Sequence, residues 1–265
     1  MIAESPSAQT QRLDYGLQYR IWHSESESYV AVQVARCESL FADLMPEDTS
    51  LPALDIGCGM GFALRWLEQR GYREAEGIDI DESQIAACRR LGVKATLVGQ
   101  VADFLDSRPG KYGLVLMCDV LEHIPEDERL DVLRLVNQTL LPNGRVILTV
   151  PNASSIVATR WRYLDYTHCT TFTEVSLRFV LDNAGFADIE ISSSDPAPSL
   201  RSVLVPWRLL PSLFHRGRRK QLALAITRWL WRNALYAELH EDVSKIPLGR
   251  NLHAVAVKPS SAPQE

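Results

Sequence analysis

The sequence predicts a doubly wound α/β fold, a mainly parallel sheet with helices on both faces and a helical insertion near its carboxyl end. Three observations carry this. Residues 51–61, Leu-Pro-Ala-Leu-Asp-Ile-Gly-Cys-Gly-Met-Gly, read as a short apolar strand, a glycine turn and the start of a helix. That unit is the first crossover of a nucleotide-binding sheet. Downstream, strand-like runs alternate with helical patterns through four successive crossovers, which commit the chain to parallel pairing. Finally, two strand patterns, residues 187–192 and 251–257, are separated by a segment too long to be a bare loop.

Taken in order, residues 1–12 are polar and read as disordered. Residues 15–23 are aromatic and basic (Tyr15, Tyr19, Arg20, Trp22), and residues 29–44 have helical spacing. The glycine turn places Asp55 two residues before Gly57, with Gly59 and Gly61 following at alternate positions. Glycine lets the backbone turn sharply and lets a ligand lie against it. The helix that follows offers unpaired N–H groups to a negative group such as a carboxylate. Dinucleotide sites space their glycines G-x-G-x-x-G; here the spacing is G-x-G-x-G, behind an acid that repels a pyrophosphate and attracts an ammonium group. Residues 74–80 read as the second strand, ending in Asp79, which lies 22 residues beyond Gly57. An acid there accepts both ribose hydroxyls of a nucleoside, with Ile80 set against the base. Residues 83–91 are helical and 93–98 form the third strand, followed by Gln100, Val101 and Asp103. Residues 111–117 form the fourth strand, which runs into Cys118-Asp-Val-Leu-Glu-His-Ile-Pro125. Pro125 suits the first helical position, and Glu126, Asp127 and Glu128 complement the dipole of a helix reaching Leu141. Residues 142–144, Pro-Asn-Gly, read as a turn before a fifth strand over 145–150.

Together, Asp55-x-Gly-x-Gly-x-Gly61, Asp79 and Asp119-x-x-Glu-His123 resemble the class I S-adenosylmethionine (SAM)-dependent methyltransferases over roughly residues 50–150. The resemblance implies a Rossmann-like, seven-stranded sheet whose last two strands form an antiparallel pair. It implies SAM as cofactor, held by Asp55, Gly57, Cys58, Gly59, Asp79, Ile80, Gln100, Val101 and Asp119. Family members commonly carry an acid where Gln100 stands, to bind the adenine amino group; the Gln carbonyl is expected to serve instead. The amino-terminal segment, 1–45, is expected to be a helical cap that folds over the cofactor or packs on the core.

SAM brings its own electrophilic methyl group, so the protein must bind, align and deprotonate a nucleophile. A hydroxyl acceptor needs a base poised near neutral pH, a role that suits His. Two stretches offer one. Asp119, Glu122 and His123 resemble the E-x-x-E-H set that holds a divalent metal in ubiquinone-biosynthesis O-methyltransferases, with Asp119 one methylene shorter than the family's Glu. A metal at Asp119, Glu122 and His123 is therefore the less favoured arrangement. The second stretch, residues 161–177, is a polar, aromatic loop leading into a helix capped by Thr173. Its Asp165-x-x-His168, with the later Phe-Thr, Ser-Leu and Ala184-Gly-Phe186, resembles methyltransferases encoded with bacterial surface-polysaccharide synthesis. This implies His168 as base oriented by Asp165, with His123 as the second candidate. Arg162, Tyr163 and Tyr166 are the expected acceptor contacts, the tyrosines stacking on a sugar ring. The acceptor is then a sugar hydroxyl of a surface glycan or of its lipid- or nucleotide-linked precursor. The alternatives are a metal-assisted quinone or phenol O-methyltransferase and a non-catalytic SAM-binding scaffold.

The bulk composition bounds the rest. With 265 residues, 46% hydrophobic and 23% charged, the chain has the make-up of an ordinary globular domain. Five scattered cysteines without C-x-x-C spacing read as reduced thiols, and with the polar leading residues they predict a cytoplasmic protein. The net charge of −5 argues against a nucleic-acid partner. That charge is unevenly spread. Residues 196–250 hold ten Lys or Arg against three acids, so this stretch carries +7 and the remainder −12. The organisation read from sequence is a cap (1–45), a SAM-binding core (46–195), a basic, Trp-bearing helical insertion (196–250) and a final strand with tail (251–265). A helix over 221–239 follows the basic run 216–220. Its apolar residues fall on more than one side, so residues 206–239 are read as contacting an anionic membrane face peripherally, a second subunit or the catalytic domain.

Overall fold

The computed structural model describes residues 15–195, 216–239 and 242–260. Seven strands form one sheet: β1 (Ala53–Ile56), β2 (Ala75–Asp79), β3 (Ala95–Leu97), β4 (Tyr112–Cys118), β5 (Leu140–Pro151), β6 (Ala187–Ser193) and β7 (Asn251–Val257). Their order is β3-β2-β1-β4-β5-β7-β6. The first five strands pair in parallel, and β7 runs antiparallel to both β5 and β6. The direction of winding reverses between β1 and β4, and the carboxyl ends of strands at such a switch point are where open α/β sheets take their ligands.

The crossover helices follow the apolar periodicity of the chain. They are α1 (Tyr15–Trp22), α2 (Glu27–Phe41), α3 (Phe62–Gln69), α4 (Glu82–Leu91), α5 (Val101–Asp106), α6 (Glu126–Thr139), α7 (Ala158–Leu164), α8 (Glu174–Asn183) and α9 (Arg216–Glu238). Successive strand residues point to opposite faces, and β4 displays this directly. Leu114 and Leu116 pack with Trp66, Leu67 and Ile85 on one side. Val115 and Met117 pack with Val132, Leu133 and Leu177 on the other. A strand buried on both faces anchors the sheet, and each such side chain removed from water contributes roughly 1.5–3 kcal/mol.

Local differences from the sequence reading have local causes. Residues 142–144 lie within β5 rather than in a turn before it: Tyr112 pairs with Leu140 and Leu114 with Arg145, so the extra residues form a bulge with Asn143 at φ 62°. The stretch read as a loop from residue 161 begins inside α7, and α9 starts at Arg216, so the basic run belongs to the helix rather than preceding it. The readings for residues 1–12 and for the 206–215 portion of the segment 206–239 lie outside the described residues.

Candidate active site

The site begins at the turn after β1. Gly57, Gly59 and Gly61 all have positive φ (67°, 53° and 83°), which an L side chain adopts only with strain. At Gly57 the neighbours also forbid a side chain, since a Cβ there would lie 2.4 Å from Val120 Cγ2. The turn is then tied to β2: Asp79 Oδ2 accepts from Gly59 N at 2.9 Å and Oδ1 from Asp81 N at 2.9 Å. Asp79 thus shapes the turn while standing at a strand end, and burial raises its pKa. Ile80 beside it is exposed. Gln100 is exposed and precedes α5, with Val101 as that helix's first residue. Cys58 is buried, and its hydrogen bond with Cys88 and its burial hold it in the thiol form.

Asp55 occupies the middle of β1 at 2% exposure. Burial, reinforced by the charge of Asp79, pushes its pKa up to about 8. A buried acid with so high a pKa is poised to pair with a cation. Above the turn, α1 lays Tyr19 over Gly59, and His23 lies at a ring-centroid distance of 4.1 Å from Tyr19. His23 Nδ1 and Tyr29 Oη share a hydrogen bond of 2.8 Å, so an aromatic group closes over the glycines.

A second set of groups lies past β4. Asp119 takes an unusual backbone angle for a non-glycine residue, φ 55°. It is fastened there by its neighbours: Thr149 Oγ1 donates to Asp119 Oδ1 at 2.8 Å and Asn251 Nδ2 at 3.1 Å, while Asp119 N donates to Thr149. Asn251 in turn accepts from Trp161 Nε1 at 2.9 Å, linking β4, β5, β7 and α7 at one corner. Glu122 is wholly buried, and neither carboxylate oxygen has a hydrogen-bond partner. Burial, and secondly the charge of Asp119, raises its pKa well above the usual range. His168 Nε2 lies 3.7 Å from Glu122 Oε1, and the His123 and His168 rings meet edge to face at 4.7 Å.

The expected pairing of Asp165 with His168 is not formed. Asp165 Oδ1 accepts from Thr167 N at 2.8 Å and from Thr167 Oγ1 at 2.6 Å, and Thr167 Oγ1 meets His123 Nδ1 at 2.8 Å. The cause is a tight Asx-type turn: the carboxylate of Asp165 closes on its own backbone two residues on, which carries Thr167 toward His123 and leaves His168 against Glu122. The single hydroxyl proton of Thr167 is donated to a carboxylate, so its oxygen accepts from His123 Nδ1–H. In the neutral ring, Nε2 then holds the lone pair. Burial lowers the pKa of both histidines below 6.5, the proximity of His168 adding to the effect on His123. Both rings are therefore neutral at pH 7.

The expected metal set is also revised. Among the described residues, Glu122, His123 and His168 bring their ligand atoms within 4.8 Å of one another; Asp119, whose Oδ1 accepts from Thr149 and Asn251, is not of that group. One carboxylate and two imidazoles suit a borderline divalent cation, and the unpartnered oxygens of Glu122 fit such a guest. Of the expected acceptor contacts, Arg162 is half-buried and donates to Cys169 O at 2.9 Å, its guanidinium over the Tyr163 ring. Tyr163 and Tyr166 are 75% and 81% exposed. Sequence reasoning missed Thr167, although its place inside Asp165-x-Thr-His168 was a usable signal. It also missed Thr149 and Asn251, which reach the site only through tertiary structure.

Comparison with known proteins agrees with this frame. Residues 29–191 match the family described as the methyltransferase domain. The ubiquinone biosynthesis O-methyltransferase of Methylococcus capsulatus is 27% identical over 141 residues, 51% of this chain and 58% of that protein. The carboxy-S-adenosyl-L-methionine synthase of Pseudomonas aeruginosa is 25% identical over 66% of this chain and 68% of its own. The chain thus spans about three-fifths to two-thirds of the length of these curated relatives. Among solved structures, a SAM-dependent methyltransferase from Archaeoglobus fulgidus superposes with a TM-score of 0.63 at 20% identity, covering 92% of this chain and 99% of its own. With the family match extending over more than half its length and the fold shared across nearly all of it, the chain belongs to the methyltransferase domain family and has the class I SAM-dependent fold.

Proposed function

We propose that this protein transfers the methyl group of SAM to a hydroxyl oxygen of a small-molecule acceptor, with His123 as general base. The observation that carries the reading is the chain Asp165–Thr167–His123, which fixes the imidazole tautomer and leaves Nε2 as the accepting atom. SAM would be held at the carboxyl ends of β1, β2 and β4, with Asp55 as partner for its ammonium group, the amino end of α3 for its carboxylate and Asp79 for its ribose. When bound, SAM would supply an electrophilic methyl group on sulfur, and the acceptor hydroxyl that takes it would give up its proton to Nε2 of His123. Asp165, acting through Thr167, offsets the positive charge that develops on the ring.

The ubiquinone-biosynthesis relative supports an aromatic, quinone- or phenol-type acceptor. A second reading, a sugar hydroxyl of a surface glycan or its lipid- or nucleotide-linked precursor, draws on Tyr163 and Tyr166, whose exposed rings offer a stacking surface. A divalent cation, where present, would be held by Glu122, His123 and His168, and would supply acidity to a bound oxygen.

The test measures SAM affinity and methyl transfer to phenolic and sugar acceptors, with and without chelator. His123→Ala is expected to lower kcat about 10²- to 10⁴-fold while leaving the SAM Kd within about twofold. Unchanged turnover in that variant refutes the assignment. Chelator-sensitive turnover reassigns His123 as a ligand, and bound SAM without turnover on any acceptor would place the activity in a partner.

A further inference from the structure

One helix has an apolar face that the catalytic site does not use. The inward side of α9 is formed by the buried Ala225 and Arg228, with Trp231, Arg232 and Leu235 partly covered. Arg228 Nη2 pairs with Asp195 Oδ2 at 2.9 Å, Trp231 Nε1 donates to Ser154 O at 2.9 Å, and Arg232 donates to the carbonyls of Val243 and Ile246. Trp231 and Leu235 also pack on Val243, Ile246 and Leu248. These contacts fix the rotation of the helix, and so fix what points outward.

The outward side carries Arg219, then Leu222 and Ala223, Ile226, Trp229 and Leu230, at the spacing of a single helical face. Trp229 and Leu230 are 52% and 56% exposed, and Ile226 is exposed as well. A polar face is the norm for a solvated helix; this one turns Ile226, Trp229 and Leu230 outward, while Arg228 and Arg232 lie on the inward side. Arg219 and Lys220, both exposed, cap the stripe at its amino end.

We propose that this face of α9 docks on an anionic lipid bilayer. The combination of an aromatic and aliphatic stripe with cations at one end fits an interface where acyl chains lie beneath negative headgroups. The charge distribution argues the same way. The stretch 196–250 carries +7 and the rest of the chain −12, so an anionic surface attracts this part of the sequence and repels the remainder. A symmetric pair of this chain joined through the same face would bring two +7 stretches together. Among the described residues no helix is long and apolar enough to cross a membrane, so the contact lies in the plane of the surface. The anchor of Trp231 on Ser154, just past β5, holds α9 beside the loop that leads into α7, with the proposed lipid face on the far side of the helix.

The test uses the full chain in co-sedimentation with phosphatidylglycerol–phosphatidylcholine vesicles and with phosphatidylcholine alone. Sedimentation with the anionic vesicles that weakens with salt is expected. Leu230→Glu and Trp229→Glu should each weaken partitioning about tenfold or more, and Arg219→Glu or Lys220→Glu about fivefold each. All four positions are exposed, and circular dichroism together with SAM affinity verifies that the variants are folded. Failure of the wild type to sediment overturns the proposal, as does partitioning that none of the four variants changes. A dimer detected by light scattering and dissolved by Leu230→Glu also overturns it, by seating a second copy on the face.

Discussion

With Asp55 as the proposed partner of the SAM ammonium group, SAM binding becomes a proton-linked event whose size follows from the position of the acid. In the free protein the carboxyl is buried in β1, and burial together with Asp79 raises its pKa to about 8. The ligand's α-amino group has an ordinary pKa of about 8. Below that pH both partners are protonated before binding, whereas the bound pair keeps one proton between them. Binding at pH 6–7 should therefore release about one proton, and Kd should weaken about tenfold for each pH unit below 8, equivalent to about 1.4 kcal/mol per unit. Above pH 8 both partners are deprotonated and the pair must take a proton up, so affinity is maximal near pH 8. The perturbation is Asp55→Asn, which should weaken binding at pH 8 about 10- to 100-fold, the worth of a hydrogen bond to a charged group, and abolish the loss on the acid side. Stability should move the opposite way. The unfolded carboxyl ionises near 3.8 and the folded one near 8, so between these values the unfolded state sheds a proton that the folded state retains, and stability falls as pH rises. Removing the acid should then raise Tm at pH 7–8 and leave it unchanged near pH 3. Calorimetric titration in two buffers of different ionisation enthalpy reads both the affinity and the proton. A Kd that is flat from pH 6 to 8, or a variant as pH-dependent as the wild type, refutes the reasoning.

The catalytic half of the site gives a separable pH signature: at saturating SAM, kcat should rise with pH through a limb below 6.5, set by His123, and be level by pH 7. Thr167→Val breaks the relay while keeping the shape. It should lower kcat at least tenfold with little change in SAM affinity, and Thr167→Ser should restore most of the loss. Gly57→Ala meets Val120 Cγ2 in a backbone already at positive φ and should cost about 2–4 kcal/mol, read by chemical denaturation. Val120→Ala in the same chain should return the part due to the clash and leave the part due to φ, so a double variant as unstable as the single one points to backbone strain alone. Glu122→Gln replaces an unpartnered buried acid with a neutral amide of the same shape. It should leave Tm within a few degrees but remove divalent-cation binding in titration calorimetry if Glu122, His123 and His168 form a ligand set.

Much of the fold was legible because the features that fix it are local or periodic. The G-x-G-x-G turn requires positive φ at three positions, and only glycine adopts this without strain, so the crossover from β1 to α3 is written in consecutive residues. β4 is buried on both faces and reads as an unbroken apolar run, Leu114 to Met117, whereas an edge strand leaves a weaker trace. β3, only Ala95–Leu97 and largely exposed, was overestimated in length for that reason. The bulge in β5 was misread because Pro-Asn-Gly carries turn chemistry, and the structure uses that chemistry inside a strand.

The active site was legible only as far as its residues share a segment. Asp165 and His168 are three apart, a spacing that suggests a partnership. The short side chain of Asp165 instead reaches its nearest donors, Thr167 N and Oγ1, and the ion pair with His168 loses to two hydrogen bonds closed within one turn. What this turn does depends on a residue 44 positions away: His123 meets Thr167 only because the 3₁₀ turn Leu121–His123 after β4 and the loop after α7 bring the carboxyl ends of β4 and β5 together. Asn251, 132 residues from Asp119, shows the same logic at the neighbouring corner. The composition of the site was thus readable, because acids, imidazoles and hydroxyls stand out against an apolar strand. Its pairing was not, because the donors and acceptors choose partners by distance in the folded chain. The consequence is functional: with Asp165 spent on Thr167, the oriented imidazole is that of His123, and Glu122 and His168 lie beside it as a pair that responds to whatever cation or proton reaches the site.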